Sequence, residues 1–548
     1  MGLKKSIFKT TLITSYKIWL CFFPKAGRLY YKVGKFYEKK GQLDAAFNYY
    51  LSAKRHKPHL IKIDYGLGSV LYKKELYAQA LPYYQKTFEK HPDDLQLAIH
   101  LLKILKIFGH SEEFLRVCNL ALRHHPDNVH LLSSLIDMQR WSSTINDESF
   151  EHFKQIVSRD KTIKTARPFT LIAEILGEQG LPEESLSYFK TALLLNPKDH
   201  KARYLQALPL LSLGRLQEAW VCLRLRNKPR DLRLPHSTPE WAGQSLSDAH
   251  ILIYAEKGIG DEVRLASIYN EVIEAAGQTT IACEPRLMTL FQRSFPLANV
   301  VGLGRLFSTL GCTVKPNKNP VCLTTWGGSS SFDYYLLAGD LPVFFRPDYA
   351  SFGASEAYLR PNPTLVEKWR DRVQALGTDL KVGICWSSGV SNFKRSREYT
   401  LLRHWEQVLQ LPHISWVNLH YGGMAEIEEE EARLGVRIHG WDDLDLKNDL
   451  EDMAALIDQL DVVISAATLI AELSGALGKP TWRLINTTHP ANTWRVWPGT
   501  SQDLWHPSMI QVSSQPIGNV HELMEKVCDA LKAMSAQAKT EGQTAVLS

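Results

Sequence analysis

Two glycines and two carboxylates lie together in the stretch Lys-Gly-Ile-Gly-Asp-Glu at residues 257–262. An apolar run precedes the stretch and a helical pattern follows it, which predicts a strand-to-helix turn. Gly258 and Gly260 let the backbone pass close to a ligand, and the helix N-terminus attracts anions. The full dinucleotide pattern G-x-G-x-x-G is absent because Val263 occupies the third glycine position. On local grounds, Asp261 is suited to be the N-cap of the helix.

Hydroxyl and cationic side chains are concentrated at residues 385–399, CWSSGVSNFKRSREY. A diphosphate needs such a set, because hydroxyls donate hydrogen bonds to its oxygens and cations balance its charge. The pattern predicts a phosphate-binding loop, although a solvated basic loop fits the composition as well. The candidates are Ser387, Ser388, Lys394, Arg395 and Arg397.

A third candidate stretch, residues 465–480, begins at the end of an apolar strand pattern and continues into a helix. Thr468 lies near the start of that helix, where its hydroxyl and the free backbone N–H groups can hold a phosphate. Glu472 lies one turn further on and could accept hydrogen bonds from both hydroxyls of a ribose, or be a solvated helix charge. Trp494 and Trp497 could line the same pocket or serve in packing.

Strand and helix patterns must position these residues, and in the C-terminal half they alternate, which predicts parallel sheets. We expect two α/β lobes at 248–363 and 364–535, with a flexible tail at 536–548. Ligands bind at the carboxyl ends of strands in such sheets, so the candidate residues converge on a cleft between the lobes. The predicted strands include 250–255, 279–283, 381–386, 414–420, 461–465 and 481–485.

The first part of the chain has a different period. Pro58, Pro92 and Pro126 are 34 residues apart, and each closes a block of two apolar stretches joined by a turn. A fixed period of this length indicates stacked helical hairpins. Residues 27–232 resemble the tetratricopeptide repeat family, which implies a helical solenoid with a groove for a peptide or protein partner. A loop at 233–247 links it to the sheets.

Basic charge is concentrated at the N-terminus. Residues 1–40 contain ten Lys or Arg and one acidic residue, a net charge of +9, whereas the whole chain carries +6. The rest of the chain is therefore slightly acidic, which argues against nucleic-acid binding. Residues 1–26 predict a basic amphipathic helix that contacts a membrane surface or caps the first repeat. Lys9 and Lys17 interrupt its apolar run, which disfavours a transmembrane span.

The eight cysteines form no C-x-x-C pair and are scattered along the chain. Such a distribution is typical of reduced thiols in a cytosolic protein rather than of a disulfide framework. We therefore expect a cytoplasmic protein, with peripheral contact to the inner face of the cytoplasmic membrane as an open alternative.

Residues 250–515 resemble the bacterial heptosyltransferase-like glycosyltransferases (glycosyltransferase family 9-like), in the form that carries tetratricopeptide repeats in front. The resemblance rests on several stretches that occur in the family's order: AEKGIGDEVRLAS, YLRPNP, VGICWSSG, NDLEDMAALIDQLDVVIS, LSGALGKPTW and NTWRVWPGTSQDLWHPSM. It implies a two-lobed Rossmann-like GT-B fold and an inverting transfer of a sugar from a nucleotide-activated donor. It also implies that neither a metal nor another cofactor is needed.

The resemblance also implies roles for the candidate residues. The donor diphosphate would lie against the Thr468 helix and the 394–397 loop, whose cations would stabilise the departing diphosphate. Asp261 would deprotonate the acceptor hydroxyl as general base. The acceptor would be a glycan, a lipid-linked glycan or a protein, and the repeats would recruit it or another partner.

Two departures from the family pattern support an alternative. Ala467 and Glu472 stand where family members commonly have Asp and His. The protein could thus be an inactive scaffold that binds a sugar nucleotide or glycan while its repeats bind a partner. The triplet Asp443-Leu444-Asp445 resembles a D-x-D metal site, but it lies in an acidic linker, and we expect no metal there.

Overall fold

The computed structural model describes residues 14–142, 147–226, 238–302, 332–353, 357–388, 398–486, 494–515 and 517–546. The chain forms two compact units, residues 1–171 and 172–548. The described residues of the first unit form helices. The second unit contains the last helical hairpins and two parallel sheets. The predicted layout of helical repeats followed by a parallel α/β region is confirmed.

Antiparallel helix pairs with tight turns build the first unit. Three of the described turns have a residue with a left-handed backbone, for which glycine is suited: Gly41 (φ +74°), Glu75 (φ +60°) and Gly109 (φ +71°). Small residues such as Ala46 and Ala80 are fully buried where the helices meet. The helices are α1 (14–22), α2 (Gly27–Lys39), α3 (Leu43–His56), α4 (Ile61–Lys73), α5 (Tyr77–Phe88), α6 (Leu95–Phe108), α7 (Ser111–His124), α8 (Val129–Ser142) and α9 (Asp147–Arg159).

The repeat pattern continues past the boundary between the units. The turns at Gly180 and Gly214 have the same left-handed backbone, and Ser185 and Ala219 are the buried small residues. Residues up to Arg226 thus pack as part of the second unit. Their helices are α10 (Arg167–Glu178), α11 (Pro182–Leu195), α12 (His200–Leu205), α13 (Ala207–Ser212) and α14 (Leu216–Leu223).

A four-stranded parallel sheet follows, with strand order β3-β2-β1-β4. Residues 238–247, predicted as linker, attach to its edge: the Trp241 amide donates to the Tyr335 carbonyl at 2.8 Å, and the Trp241 ring packs on Phe344. The elements are β1 (His250–Tyr254), α15 (Ile259–Leu265), α16 (Tyr269–Ala275), β2 (Gln278–Cys283), α17 (Met288–Ser294), β3 (Asn299–Gly302), β4 (Tyr334–Leu337) and α18 (Leu341–Phe345).

The second sheet has six parallel strands in the order β10-β9-β8-β5-β6-β7. The last helix continues to Val546, past the predicted start of a tail at 536. The elements are α19 (Pro363–Gln374), β5 (Leu380–Cys385), α20 (Glu406–Leu409), β6 (Ile414–Asn418), α21 (Met424–Leu434), β7 (Ile438–His439), α22 (Leu450–Asp458), β8 (Val462–Ala466), α23 (Leu469–Ala476), β9 (Thr481–Ile485), β10 (Met509–Ser513) and α24 (Val520–Val546).

Candidate functional site

A cavity of about 670 Å³ lies where the carboxyl ends of both sheets converge. In the first sheet, β1 lies between β2 and β4, and in the second sheet, β5 lies between β6 and β8. The strand order reverses at β1 and at β5, and such a reversal creates a crevice at the carboxyl ends of the strands. The crevices fall between β1 and β4 and between β5 and β8. Residues that follow all four strands line the cavity. The expected convergence of the candidate stretches is therefore observed.

The first-sheet side of the cavity is formed by the turn after β1. Gly258 is the N-cap of α15, and Asp261 lies in the first turn of that helix. The interpretation of Asp261 as N-cap is therefore wrong, because the cap position belongs to a residue without a side chain. Gly260 faces α23, where an added Cβ would come within 3.5 Å of the Leu469 Cα, an ordinary contact distance.

The Asp261 side chain, 40% exposed, accepts a hydrogen bond from the Arg264 guanidinium one turn later. Desolvation by the surrounding protein raises the pKa of this partly exposed carboxyl, but Arg264 and Lys257 outweigh that effect and hold the pKa below its usual value. Burial also lowers the pKa of the neighbouring Lys257 ammonium. Asp261 is consequently a carboxylate at neutral pH, able to accept a proton but stabilised by two cations.

On the second-sheet side, the Ser387 hydroxyl follows β5 and lies 2.8 Å from Nε2 of His420. Thr468 follows β8 and is the N-cap of α23, with its hydroxyl accepting the Ile470 amide at 3.3 Å. Ser388 also lines the cavity. These hydroxyls and the start of α23 lie on the second-sheet side of the cavity, where the sequence predicts a phosphate. The predicted phosphate-binding cations Lys394, Arg395 and Arg397 lie outside the described residues.

Glu472 has a different environment from the one predicted. Its side chain is 8% exposed, so it is not a solvated helix charge. Its two oxygens accept hydrogen bonds from Arg495 at 2.6 and 3.1 Å, and Oε2 also contacts Nε2 of His506 at 3.0 Å. Arg495 in turn contacts the buried Asp503. A carboxylate committed to these partners is poorly placed to bind ribose hydroxyls, so the structure does not support that role.

The described cavity lining is rich in cations that sequence reasoning missed. Burial, followed by the neighbouring Arg495, lowers the pKa of Arg483 to about 10. Arg286 donates to the Lys447 carbonyl at 2.8 Å, which joins the two sheets at the cavity rim. Arg264 also reaches the cavity, together with the Lys257 and Lys447 side chains. Lys257 belongs to the turn at 257–262, whereas Arg286, Lys447 and Arg483 come from separate segments without a shared motif.

The last repeat hairpin closes one wall of the cavity with apolar side chains. Trp220 packs edge-on against Trp494 at 5.5 Å, and its indole N–H donates to the Arg346 carbonyl at 2.6 Å. Trp494 thus faces the cavity as predicted but also takes part in packing. The wall residues from the repeats are Leu208, Leu211, Trp220 and Leu223.

Both aspartates of the D-x-D triplet have partners within the protein. Asp443 forms a two-point ion pair with Arg372 at 2.8 and 2.9 Å, and Asp445 accepts from the Asn448 side chain at 2.8 Å. Neither aspartate lines the cavity. In the part of the chain that the structure describes, no cluster of three His, Cys, Asp or Glu side chains could hold a metal ion.

Comparison with known proteins supports the repeat assignment. Residues 27–58 and 170–230 each match a family described as Tetratricopeptide repeat. Protein FlbA of Caulobacter vibrioides is 28% identical over 513 residues, which cover 91% of this chain and 83% of FlbA. That match is too long to be confined to the repeats. The N-terminal region is therefore a tetratricopeptide repeat region, and the similarity to FlbA extends into the sheets.

Solved tetratricopeptide structures resemble part of the chain. TTC0263, a thermophilic repeat protein from Thermus thermophilus, is 22% identical, and the match covers 34% of this chain and 100% of that chain with a TM-score of 0.25. YrrB, described as having an unusual peptide-binding site, is 16% identical, and the match covers 34% of this chain and 95% of that chain with a TM-score of 0.31.

Proposed function

We propose that the protein is an inverting, metal-independent glycosyltransferase that moves a sugar from a nucleotide-activated donor to an acceptor hydroxyl. The observation that carries this proposal is the shared cavity at the two strand-order reversals. One side supplies a carboxylate and the other a hydroxyl-lined helix start, and cations border both. These are the groups that a transfer reaction with a diphosphate leaving group needs.

The donor diphosphate would occupy the second-sheet side. Ser387, Ser388 and the start of α23 at Thr468 can donate hydrogen bonds to its oxygens. Arg483 and Lys447 border this region and would balance charge on the departing group. Lys394, Arg395 and Arg397 would add further positive charge for the diphosphate, a role proposed from their sequence alone.

The acceptor hydroxyl would approach from the side of α15. Its oxygen attacks the anomeric carbon while the bond from that carbon to the diphosphate oxygen breaks and the nucleoside diphosphate leaves with the electron pair. Asp261 takes the hydroxyl proton, for which it must be ionised beforehand. Its lowered pKa meets that requirement at neutral pH.

A thermal-shift screen of the full chain against nucleotide sugars tests donor binding, and release of nucleoside diphosphate tests turnover. We expect at least one nucleotide sugar to raise the unfolding temperature by stabilising the folded state. The Ser387→Ala/Thr468→Ala variant is expected to lose most of that increase. No shift with any nucleotide sugar would contradict the proposal.

A sugar-nucleotide or glycan-binding scaffold is the second candidate. The ion pair between Asp261 and Arg264 favours it, because a carboxylate with a lowered pKa is a weak base. Tight donor binding with neither hydrolysis nor transfer, for any acceptor tested, would select this alternative.

The repeats would recruit a protein, either as acceptor or as partner. Tetratricopeptide repeats stack into extended surfaces suited to peptides, and this region of the chain has the repeat pattern. Co-purification of a protein by residues 14–159 and not by residues 165–548 would assign this role to the repeats that precede residue 160.

The N-terminal helix supports a peripheral membrane contact. Leu20 is buried, which anchors α1, while Ile18, Trp19, Phe22 and Phe23 are at least 54% exposed. Among the described residues, no helix is long and apolar enough to cross a membrane. Exposed aromatic residues beside the excess of cations counted in residues 1–40 suit an anionic bilayer surface.

Co-sedimentation with phosphatidylserine vesicles tests the contact. The Trp19→Ala/Phe22→Ala/Phe23→Ala variant should bind at least tenfold more weakly than the wild type, because it loses its interfacial aromatic area. Ile107→Ala/Phe108→Ala is the matched control, since it removes two exposed apolar side chains at the end of α6. Equal binding by the first variant and the wild type would remove the membrane role.

A further inference from the structure

The imidazole of His420 is buried beside the cavity and has no role in the proposed reaction as described above. The residue is 5% exposed and follows β6, next to the cavity residue Tyr421. Its ring stacks on Trp386 with centroids 4.3 Å apart and an angle of 20°. Gly423 covers the other edge, because a Cβ there would approach Nδ1 to 3.0 Å. The ring is therefore fixed in position by packing.

The two ring nitrogens have unequal surroundings. Nε2 lies 2.8 Å from the Ser387 hydroxyl, which lines the cavity. Nδ1 is buried and has no hydrogen-bond partner among the described residues. Burial lowers the pKa of His420, so the ring is neutral at neutral pH and carries a single proton.

The position of that proton decides what Ser387 offers to the cavity. A proton on Nδ1 would be an orphaned buried N–H, which is rarer in proteins than an under-satisfied acceptor. With the proton on Nε2, the imidazole instead donates to the Ser387 oxygen. The Ser387 hydrogen is then free to rotate away from the ring towards the cavity.

We propose that His420 is a positioning residue that donates from Nε2 to Ser387 and so presents the Ser387 hydroxyl as a hydrogen-bond donor to a phosphate oxygen in the cavity. This inference rests on the proposed function and names diphosphate as the ligand group at this point of the site. The reverse arrangement, with Ser387 donating to Nε2, would aim an oxygen lone pair at an anion and repel it.

Calorimetric titration of the full chain with inorganic diphosphate tests the inference. Ser387→Ala and His420→Phe should each weaken binding by about tenfold, the effect of losing one hydrogen bond to a charged group. The double variant should bind no more weakly than either single variant, because both remove the same interaction. His420→Gln should keep affinity within about twofold, since its amide N–H can replace Nε2–H.

His439→Phe is the matched control, because His439 lies on β7 of the same sheet and does not line the cavity. The inference is overturned if His420→Phe binds diphosphate as tightly as the wild type, or if the double variant with Ser387→Ala binds more weakly than both single variants. It is also overturned if His420→Gln binds as weakly as His420→Phe. If the wild type binds neither diphosphate nor a nucleoside diphosphate, the proposed function fails and the inference falls with it.

A direct measurement covers the case in which His420→Phe does not fold. In wild-type protein labelled with ¹⁵N-histidine, the long-range proton–nitrogen spectrum distinguishes a protonated ring nitrogen from a bare one. The His420 signal, assigned by its absence from His420→Gln, should show a protonated Nε2 and a bare Nδ1. A protonated Nδ1 would overturn the proposal whatever the binding data show.

Discussion

Replacing Arg495 by Met should strongly destabilise the second unit. Arg495 is 1% exposed and binds two buried carboxylates, Glu472 at 2.6 Å and Asp503 at 3.2 Å. Burial raises the pKa of Glu472, but Arg495, His506 and Arg264 outweigh it and hold the pKa well below its usual value. Without Arg495, the charge on Glu472 loses its strongest partner while its side chain stays largely desolvated, at 8% exposed.

Breaking a buried ion pair by removing one partner costs about 3–5 kcal/mol of unfolding free energy, because the remaining charge is left desolvated. Met retains most of the length of the Arg side chain, so little of that loss comes from a cavity. Arg215→Met is the matched control: Arg215 also donates two hydrogen bonds to a carboxylate, that of Glu218, but the two side chains are 49% and 57% exposed. Solvent replaces those contacts, so stability should change little.

Urea unfolding followed by tryptophan fluorescence measures the effect. Of the 14 tryptophans, Trp19 and Trp141 precede residue 172, so the other twelve report on the second unit. A loss below about 1 kcal/mol for Arg495→Met would refute the reasoning from charge burial. Adding Glu472→Gln should recover part of the loss, since it removes the stranded charge; no recovery would assign the loss to packing.

Two further predictions concern the proposed base and the boundary of the second unit. Asp261→Asn should lower turnover by about 10²–10⁴-fold without weakening donor binding, because an amide cannot accept the proton. Steady-state kinetics measures the turnover and calorimetry the donor binding. If the variant turns over at the wild-type rate, another residue is the base. A fragment of residues 165–548 should unfold cooperatively on heating, whereas 238–548 should be less stable or aggregate. The shorter one loses Trp220, which donates to the Arg346 carbonyl, and Arg226, which pairs with Asp340; equal melting temperatures would contradict this.

The repeats and the sheets could be predicted from sequence because their signals are local. A 34-residue period relates the turn at Gly41 to that at Gly109 and the turn at Gly180 to that at Gly214, and all four glycines have a left-handed backbone. Strand patterns predicted which segments meet at the cavity, since parallel strands bring their carboxyl ends to one edge. These regularities repeat within short windows and depend little on distant residues.

The partners of the candidate side chains could not be predicted in this way. Arg495 and His506 lie 23 and 34 residues after Glu472, in a segment with no periodic pattern, and only the folded chain brings them together. The pairing of Ser387 with His420 crosses from one strand end to the next. The sequence therefore offers a ligand or solvent for Glu472, whereas the structure gives it partners within the protein.

In the proposed reaction, Arg264 would connect donor binding to the basicity of Asp261. Its guanidinium donates a hydrogen bond to Asp261 on α15 and lies 3.6 Å from Glu472 on α23. One guanidinium therefore contacts carboxylates on both sides of the cavity. A bound diphosphate would compete for this cation. With Arg264 drawn away, the largest influence that lowers the Asp261 pKa is weakened while desolvation, which raises it, remains.

The base should consequently be stronger in the donor complex than in the free protein. The pH profile of kcat/KM reports the free protein and that of kcat the complex, so the acidic limb of kcat should lie at higher pH than that of kcat/KM. Arg264→Gln should remove most of this separation, because no guanidinium is left to move. If the two acidic limbs coincide in the wild type, Arg264 lowers the pKa of Asp261 by the same amount in the free protein and in the donor complex. Asp261 would then be a weak base in both states, which favours the binding scaffold.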